Sequence, residues 1–426
     1  MNKSKSRNKK YYLWIFGCQM NRSDGEKIAA VLRSCGFKPA AKAAEAGLMV
    51  VVACSVRQTA IDRVYGKARQ WQQRRRSGKI TTVLTGCVLD PDKSKLSELF
   101  DLIIPIKDLK RLPGFLQPRV DSAAVPVSDY LKLPARYESD FMAYVPIMTG
   151  CNNYCSYCVV PYVRGREVSR PAKEILADCR QLLKRGYKEI TLLGQNVNSY
   201  RHGPYNFPKL LREIDNLPGD FWLRFATSHP KDLSDELIGV MSRGKHITPY
   251  LHLPIQAGDG KILQAMNRQY TPGQYLKLVS RIRKKVPGLM LSTDVLVGYP
   301  GETRSKFENT AKLARRVKFD MIYINKYSPR RGTAAFELDN NVSWPEKKRR
   351  EKKLNEILKQ TALEHNKKLI KKTVRVLVDG WKNGYCFGKT DTFKTAAFAG
   401  DKKAIGKFAA VRIIGADSWG LKGELV

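Results

Sequence analysis

An α/β chain in three parts is predicted: an open α/β domain, then a partial barrel of βα repeats, then a small closed β-barrel. Three features carry that prediction. Apolar strand-like runs alternate with helical stretches over most of the chain, a proline-rich break divides the alternating part in two, and the last stretch is glycine-punctuated and alternating. At 426 residues the chain is long enough for several domains, each with its own core. Lys and Arg outnumber Asp and Glu by 77 to 39, a formal charge of +38. A field of that size attracts polyanions, so nucleic acid is the expected partner, weighed against a solvated basic surface and an anionic membrane surface.

The start, MNKSKSRNKK, is basic but leads into YYLWIFGCQMN, without the long apolar core and small-residue cleavage site of a signal peptide. A cytoplasmic protein is expected. The longest apolar run, Leu48 to Cys54, is far too short to span a bilayer and reads as a buried strand, so no membrane partner is expected. Nine cysteines in so large a chain suit metal ligation better than a disulfide framework.

YYLWIFG predicts the first strand, and a helix from Ser23 to Ser34 follows, with Asp24 and Glu26 early, where the helix dipole favours acids. Strands at Leu48 to Ala53 and Ile80 to Leu84 come next. Each of the three strands ends at or just before a cysteine, Cys18, Cys54 or Cys87. In an open parallel sheet the loops after the strands cluster at one edge, so these separated cysteines are expected to converge there. Leu112 to Pro134 carries four prolines and marks a linker. The boundaries predicted are 10–120 for the first domain, 121–135 for the linker, 136–366 for the second domain and 367–426 for the third.

In the second domain, strands are predicted at Met142 to Met148, Glu189 to Leu193, Trp222 to Ala226, Tyr250 to Leu253, Met290 to Val297 and Met321 to Asn325. Helical stretches such as PAKEILADCRQLLKRG lie between them, with Pro171 suited to a first turn and Gly186 to a C-terminal cap. Six βα repeats imply a parallel, barrel-like sheet whose C-terminal edge holds the chemistry. The basic helix predicted from Pro345 to Lys372 reads equally as a solvated connector and as a nucleic-acid contact. From about Thr373 the alternation VRVLVDG, GKTDTFKTAAFAGD, KFAAVRIIGA predicts a small β-barrel of the sort that binds oligonucleotides.

Cys151-x3-Cys155-x2-Cys158 places three thiols in one tight loop directly after the first barrel strand. Three ligands on a four-iron cluster leave one iron open for a substrate or cofactor, whereas a structural site closes with a fourth protein ligand. Zinc with a fourth ligand elsewhere is the competing reading. Gln195, Asn196, Ser228, Gln256 and Asp294 stand at or near strand ends, where they face either a ligand or a plain turn. Arg164 and Arg166, just after the cysteine loop, suit a phosphate or a carboxylate, with surface solvation as the alternative. Cys35, Cys179 and Cys386 read as small packing residues.

The loop CNNYCSYC, with Tyr157 before the last cysteine, resembles the radical S-adenosylmethionine enzymes. LLGQNVNSY, RFATSHP, LHLPIQAGDGKILQAMNRQYT, DVLVGYPGET and YSPRRGTAA are similar to their methylthiotransferase branch. So are FGCQMNRSDGE, CSVR and TGC, while the last sixty or so residues resemble that branch's TRAM domain; the likeness spans nearly the whole chain. It implies a radical-generating [4Fe-4S] cluster on Cys151, Cys155 and Cys158, and an auxiliary [4Fe-4S] cluster on Cys18, Cys54 and Cys87 whose open iron carries the sulfur to be inserted. S-adenosylmethionine would be held near Tyr157, Gln195, Asn196, Ser228, Gln256 and Asp294, with Arg164 and Arg166 as RNA-binding candidates. It would be used twice, once to methylate sulfur and once to yield a 5′-deoxyadenosyl radical that takes the hydrogen from C2 of an adenine. The tail VVPYVRGREVSRP and GQNVNSY are most like the members that act on N6-isopentenyladenosine at position 37 of transfer RNA. The partners implied are transfer RNA, an electron donor and a sulfur source, with a monomer expected.

Three departures from the branch stand out. Val52 and Ala53 replace its usual Asn-Thr, Asp24-Gly25-Glu26 replaces Asp-Ser-Glu, and Val88 to Pro91 differ from the common pattern. The first removes a polar support from the loop carrying Cys54. Two rival functions remain in view: methylthiolation of threonylcarbamoyladenosine, and a non-catalytic RNA-binding protein with zinc at its cysteines.

Overall fold

The computed structural model describes residues 8–55, 58–116 and 130–426. The first seven residues of the basic leader, Val56 and Arg57 of CSVR, and residues 117–129 of the expected linker lie outside the described residues. Where the linker was expected to begin, Ile106–Arg111 is a 3-10 turn and Leu112–Leu116 a short helix. Leu112 is buried in the first domain's core, so its apolar side chain outweighs Pro113.

The first domain is one parallel sheet. Strands β1 (Lys10–Ile15), β2 (Leu48–Cys54) and β3 (Thr81–Cys87) lie side by side, flanked by the two-residue strands Lys38–Pro39 and Leu102–Ile103. Every residue of LMVVVAC in β2 is buried, as a central strand covered on both faces requires. Helix α1 spans Gln19–Ser34 and starts four residues earlier than its periodicity predicts, while α2 (Gln58–Arg76) and α3 (Asp90–Leu96) follow β2 and β3. Cys18 is the N-cap residue of α1, so Asp24 and Glu26 fall beyond the first turn and are buried. Asp24 answers to side-chain partners, and Glu26 accepts from the Glu138 backbone N–H at 3.1 Å, so neither serves the helix dipole.

Six parallel strands form the second domain: β4 (Met142–Pro146), β5 (Glu189–Leu193), β6 (Trp222–Phe225), β7 (Tyr250–His252), β8 (Met290–Val297) and β9 (Met321–Lys326). The first three and the last three are joined where Leu223 N–H donates to the His246 carbonyl at 2.8 Å and Thr248 N–H to the Leu223 carbonyl at 3.1 Å. The result is a partial (βα)6 barrel, unpaired between β4 and β9. Its core runs from Ala143 to Ala362 and takes in the helix Trp344–Lys367. That basic helix packs one face against the barrel, with Arg350 buried and paired to Glu302 at 2.6 Å.

The third domain is a closed five-stranded barrel of β10 (Thr373–Lys382), β11 (Tyr385–Thr390), β12 (Thr395–Ala399), β13 (Phe408–Ala416) and β14 (Leu421–Leu425). The turn between β11 and β12 plugs the N-terminal end of the large barrel. Arg224 on β6 donates to the carbonyls of Thr390 and Asp391 at 2.8 and 2.7 Å, and to Glu189 at 2.7 Å. Phe393 stacks on Tyr250 with ring centroids 4.8 Å apart, and Lys394 pairs with Asp320 at 2.8 Å.

Arg224 and Glu189 are both buried, so removing one leaves a desolvated charge without its partner, a loss of about 3–5 kcal/mol. Arg224→Ala is expected to lower the unfolding free energy by that amount and to expose the β11–β12 turn to protease. An unchanged denaturation midpoint with unchanged cleavage would show that the plug does not hold the domains together.

Candidate functional site

The two cysteine triads come from different domains, and Arg164, six residues after Cys158, reaches Cys87 of the other. Cys54 and Cys87 end β2 and β3 in direct register, while Cys18 follows β1. Gly17 makes the approach feasible: at φ +117°, an added Cβ there would lie 2.8 Å from the Cys54 Cβ. The Cys18 thiol donates to Asn21 Oδ1 at 3.3 Å, and Asn21 Nδ2 donates to the Ala53 carbonyl at 3.0 Å. The buried Asn21 amide thus supplies the polar support that Val52 and Ala53 do not. Gly25 has its own reason, since an added Cβ would lie 2.3 Å from Ile15 Cδ1.

On the barrel side, Cys151, Cys155 and Cys158 lie in the loop between β4 and the short helix α4 (Val160–Arg164). Gly150, at φ +81°, closes this loop, because a Cβ there would fall 2.0 Å from the Arg166 carbonyl oxygen. The Cys158 N–H donates to the Cys155 carbonyl at 2.9 Å, tightening the turn between them. Burial pushes the Cys158 and Cys87 thiols up to about 12, and raises Cys151. Metal or cluster loading must therefore displace protons. Among the described residues no three His, Cys, Asp or Glu side chains converge on one ion position. Thiolates on separate irons of a cluster need not converge so.

Each triad receives one buried arginine. Arg268 Nη1 lies 3.5 Å from Cys155 Sγ, with its other nitrogens on the Tyr270 hydroxyl and the Pro254 carbonyl. Arg164 crosses between domains: its Nε donates to Cys87 Sγ at 3.1 Å and its Nη2 to Asp24 Oδ2 at 2.6 Å. Of the partners weighed for Arg164, the structure gives it the carboxylate. Arg164 is buried against the fully buried Asp24, whereas Arg166 is exposed. Asp24 also accepts from the Tyr130 hydroxyl. A second crossing arginine, Arg330 of YSPRRGTAA, donates to Asp92 at 2.7 Å and to Gln58. Sequence motifs contained Arg268, Arg330, Asn21 and His229, but their roles depend on contacts across domains or strands that no spacing reveals.

At the barrel's C-terminal edge, buried polar atoms gather without protein partners: Gln195 Oε1, Asn196 Oδ1, both Asn198 amide atoms, Ser228 Oγ and His229 Nε2. They belong to the loops after β5 and β6, which touch where Val197 N–H donates to the Thr227 carbonyl at 3.0 Å. Asn196 Nδ2 is held by Asp232 at 2.7 Å. His229 Nδ1 accepts from Lys231 N–H at 3.3 Å, which assigns the ring proton to Nε2, and burial pushes its imidazole down to about 2. The ring stays neutral. Such a set fits a zwitterionic, hydroxyl-rich ligand of the S-adenosylmethionine kind, because unpaired buried polar groups are costly unless a ligand completes them. Gln256, at φ +68°, bridges to Val295 at the same edge. Asp294 lies three residues inside the end of β8, not at it, and its carboxylate engages His252 Nε2 at 3.0 Å. Tyr157 is half-buried against the core near Arg268 and Cys155, and burial raises its phenol well above its usual range. Cys179 and Cys386 pack in cores, and Cys35 is buried at the end of α1.

Comparison with known proteins follows this division. Residues 145–314 match the radical SAM superfamily, 10–104 the uncharacterized protein family UPF0004, and 367–426 the TRAM domain. Among solved structures, the radical S-adenosylmethionine methyltransferase TsrM from Kitasatospora setae is similar in fold, with a TM-score of 0.55 at 15% identity over 75% of each chain. The partial barrel with its three-cysteine loop defines a radical S-adenosylmethionine enzyme, a class that uses a [4Fe-4S] cluster and S-adenosylmethionine. Curated relatives narrow it. The tRNA-2-methylthio-N(6)-dimethylallyladenosine synthase of Carboxydothermus hydrogenoformans is 40% identical, covering 98% of this chain and 99% of its own. The synthase of the same name from Thermoanaerobacter sp. (strain X514) is 38% identical, covering 99% and 94%. The chain belongs to the MiaB-like methylthiotransferases.

Arg164→Ala would leave the Asp24 carboxylate buried without its counter-charge, a loss of about 3–5 kcal/mol. Thermal unfolding is expected to show a first-domain transition at lower temperature, and purified protein is expected to hold less iron. Arg164→Lys keeps the charge but not the fork that serves Cys87 and Asp24 together, so it should fall between. Equal iron content and midpoint in all three proteins would remove Arg164 from any such role.

Proposed function

We propose that this chain converts N6-isopentenyladenosine at position 37 of transfer RNA into its 2-methylthio derivative. The observation that carries this reading is that Arg164, just after the barrel's cysteine loop, crosses to Cys87 and Asp24 of the first domain and so links the two cysteine triads. Full-length likeness to synthases named for that product supports the substrate.

In this reading Cys151, Cys155 and Cys158 hold one [4Fe-4S] cluster, and Cys18, Cys54 and Cys87 hold a second. When bound, the clusters and S-adenosylmethionine supply the radical and sulfur chemistry that an unactivated aromatic C–H bond demands. The chain's own residues do the rest. Arg268 and Arg164 place a positive charge on one thiolate of each triad, offsetting charge gathered in a buried place. The Gln195, Asn196, Asn198, Ser228 and His229 polar atoms orient S-adenosylmethionine, with neutral His229 donating through Nε2. Tyr157, Gln256 and Asp294 complete the wall around it. Arg330 and Arg164 seat the first domain over the barrel edge.

The small β-barrel, with its TRAM likeness, and the net charge of +38 support transfer RNA as the partner. An electron donor and a sulfur source are required besides, and we assign the protein to the cytoplasm as a monomer. None of the described helices is long and apolar enough to cross a membrane.

RNA from a deletion strain is expected to lack the methylthio group on isopentenyladenosine and keep it elsewhere; loss from threonylcarbamoyladenosine instead would overturn the substrate. Anaerobically purified protein should hold about eight irons per chain. Cys155→Ala should abolish 5′-deoxyadenosine formation, whereas Cys54→Ala should spare that cleavage and stop methylthio transfer. Stoichiometric zinc without iron would overturn the enzyme reading.

A further inference from the structure

Two tyrosines beside the barrel triad are exposed where packing would bury them. Tyr154 immediately precedes Cys155 and is 42% exposed; Tyr162, on α4, is 52% exposed. Their rings meet edge to face, centroids 6.3 Å apart and planes at 85°. The α4 turn that carries Tyr162 outward buries Arg164 on its other side.

Tyr154 is held out at a cost. Its φ is +46°, a left-handed conformation that a bulky residue adopts only where its surroundings impose it. Asn267 imposes it: its Nδ2 donates to the carbonyls of Asn153 and Tyr154 at 3.2 and 3.0 Å. Asn267 is itself left-handed, at φ +54°, and the next residue is Arg268, the arginine on Cys155. One dipeptide thus sets both the triad's charge partner and the direction of the Tyr154 ring. Exposed Arg166 follows two residues after α4.

We propose that Tyr154 and Tyr162 form a stacking platform for an unpaired nucleobase next to the adenosine being modified, with Arg166 taking a backbone phosphate. This rests on the RNA substrate proposed above. Bases in single-stranded RNA loops can be splayed out, and aromatic faces receive them without regard to base identity. A nucleotide, planar in its base and anionic in its phosphate, suits an exposed tyrosine pair with an exposed arginine four residues after Tyr162 on a chain of charge +38. A base seated here lies against the loop of Cys155 and Cys158, which places the next nucleotide of the strand beside the barrel triad.

The test uses the full chain, loaded with iron, and an anticodon stem-loop RNA carrying N6-isopentenyladenosine with 2-aminopurine at the adjacent nucleotide. The unsubstituted protein should bind it and quench the 2-aminopurine fluorescence. Tyr154→Ala and Tyr162→Ala should each weaken binding about tenfold and abolish quenching, while Tyr154→Phe and Tyr162→Phe keep both. Tyr162 lies outside the cysteine loop, so its variants remain informative if Tyr154→Ala lowers iron content. Binding and quenching by the Ala variants equal to the unsubstituted chain would overturn the platform and leave the substrate standing. Failure of the unsubstituted chain to bind the stem-loop would overturn both, and binding of a peptide in its place would assign the pair to a protein partner.

Discussion

The ion pair between Arg164 and Asp24 is the contact on which the composite site depends. Both side chains are almost wholly withdrawn from water, so neither domain tolerates its own half alone: the first would bury a bare carboxylate, the barrel a bare guanidinium. Docking resolves both penalties at once, and because Arg164 also touches Cys87, the seating of the domains and the surroundings of that thiol are one event. Tyr130, at the far end of the chain segment that leads into the barrel, closes the arrangement by donating to the same Asp24. Arg330 with Asp92 repeats the device at a second point of the edge.

The opposite end of the barrel is organised by the same chemistry. Arg224 satisfies Glu189 from its own sheet and two carbonyls from the third domain, so that a hairpin turn becomes the barrel's floor. The barrel therefore carries one domain on its chemical edge and another on its base, each fastened by arginine. This residue suits the task because its planar fork serves several acceptors at once and stays charged when buried.

The fold was legible in the sequence because its signals are local. Fully apolar β2 and the alternating tail announce a covered parallel strand and a small barrel without help from distant residues. The start of α1 was misjudged because Gln19 to Arg22 carry no apolar periodicity; what makes them helical is the Cys18 cap position and the burial of Asn21. That Cys54 and Cys87 end neighbouring strands, and that Cys151, Cys155 and Cys158 share one loop, was legible from strand ends and loop spacing. The destinations of Arg164, Arg268 and Arg330 were not, since an arginine looks the same in a sequence whether it faces solvent or a buried carboxylate.

Cys54 and Cys87 sit opposite each other on neighbouring strands, and that pairing frees their separation along the chain from any rule. The helix and turns between them can lengthen or shorten without moving either sulfur. A one-residue slip of β2 against β3 would turn Cys54 to the other face of the sheet. The site is thus tolerant of insertions and intolerant of register errors, the reverse of the Cys151 to Cys158 loop, where a single inserted residue would separate the thiols.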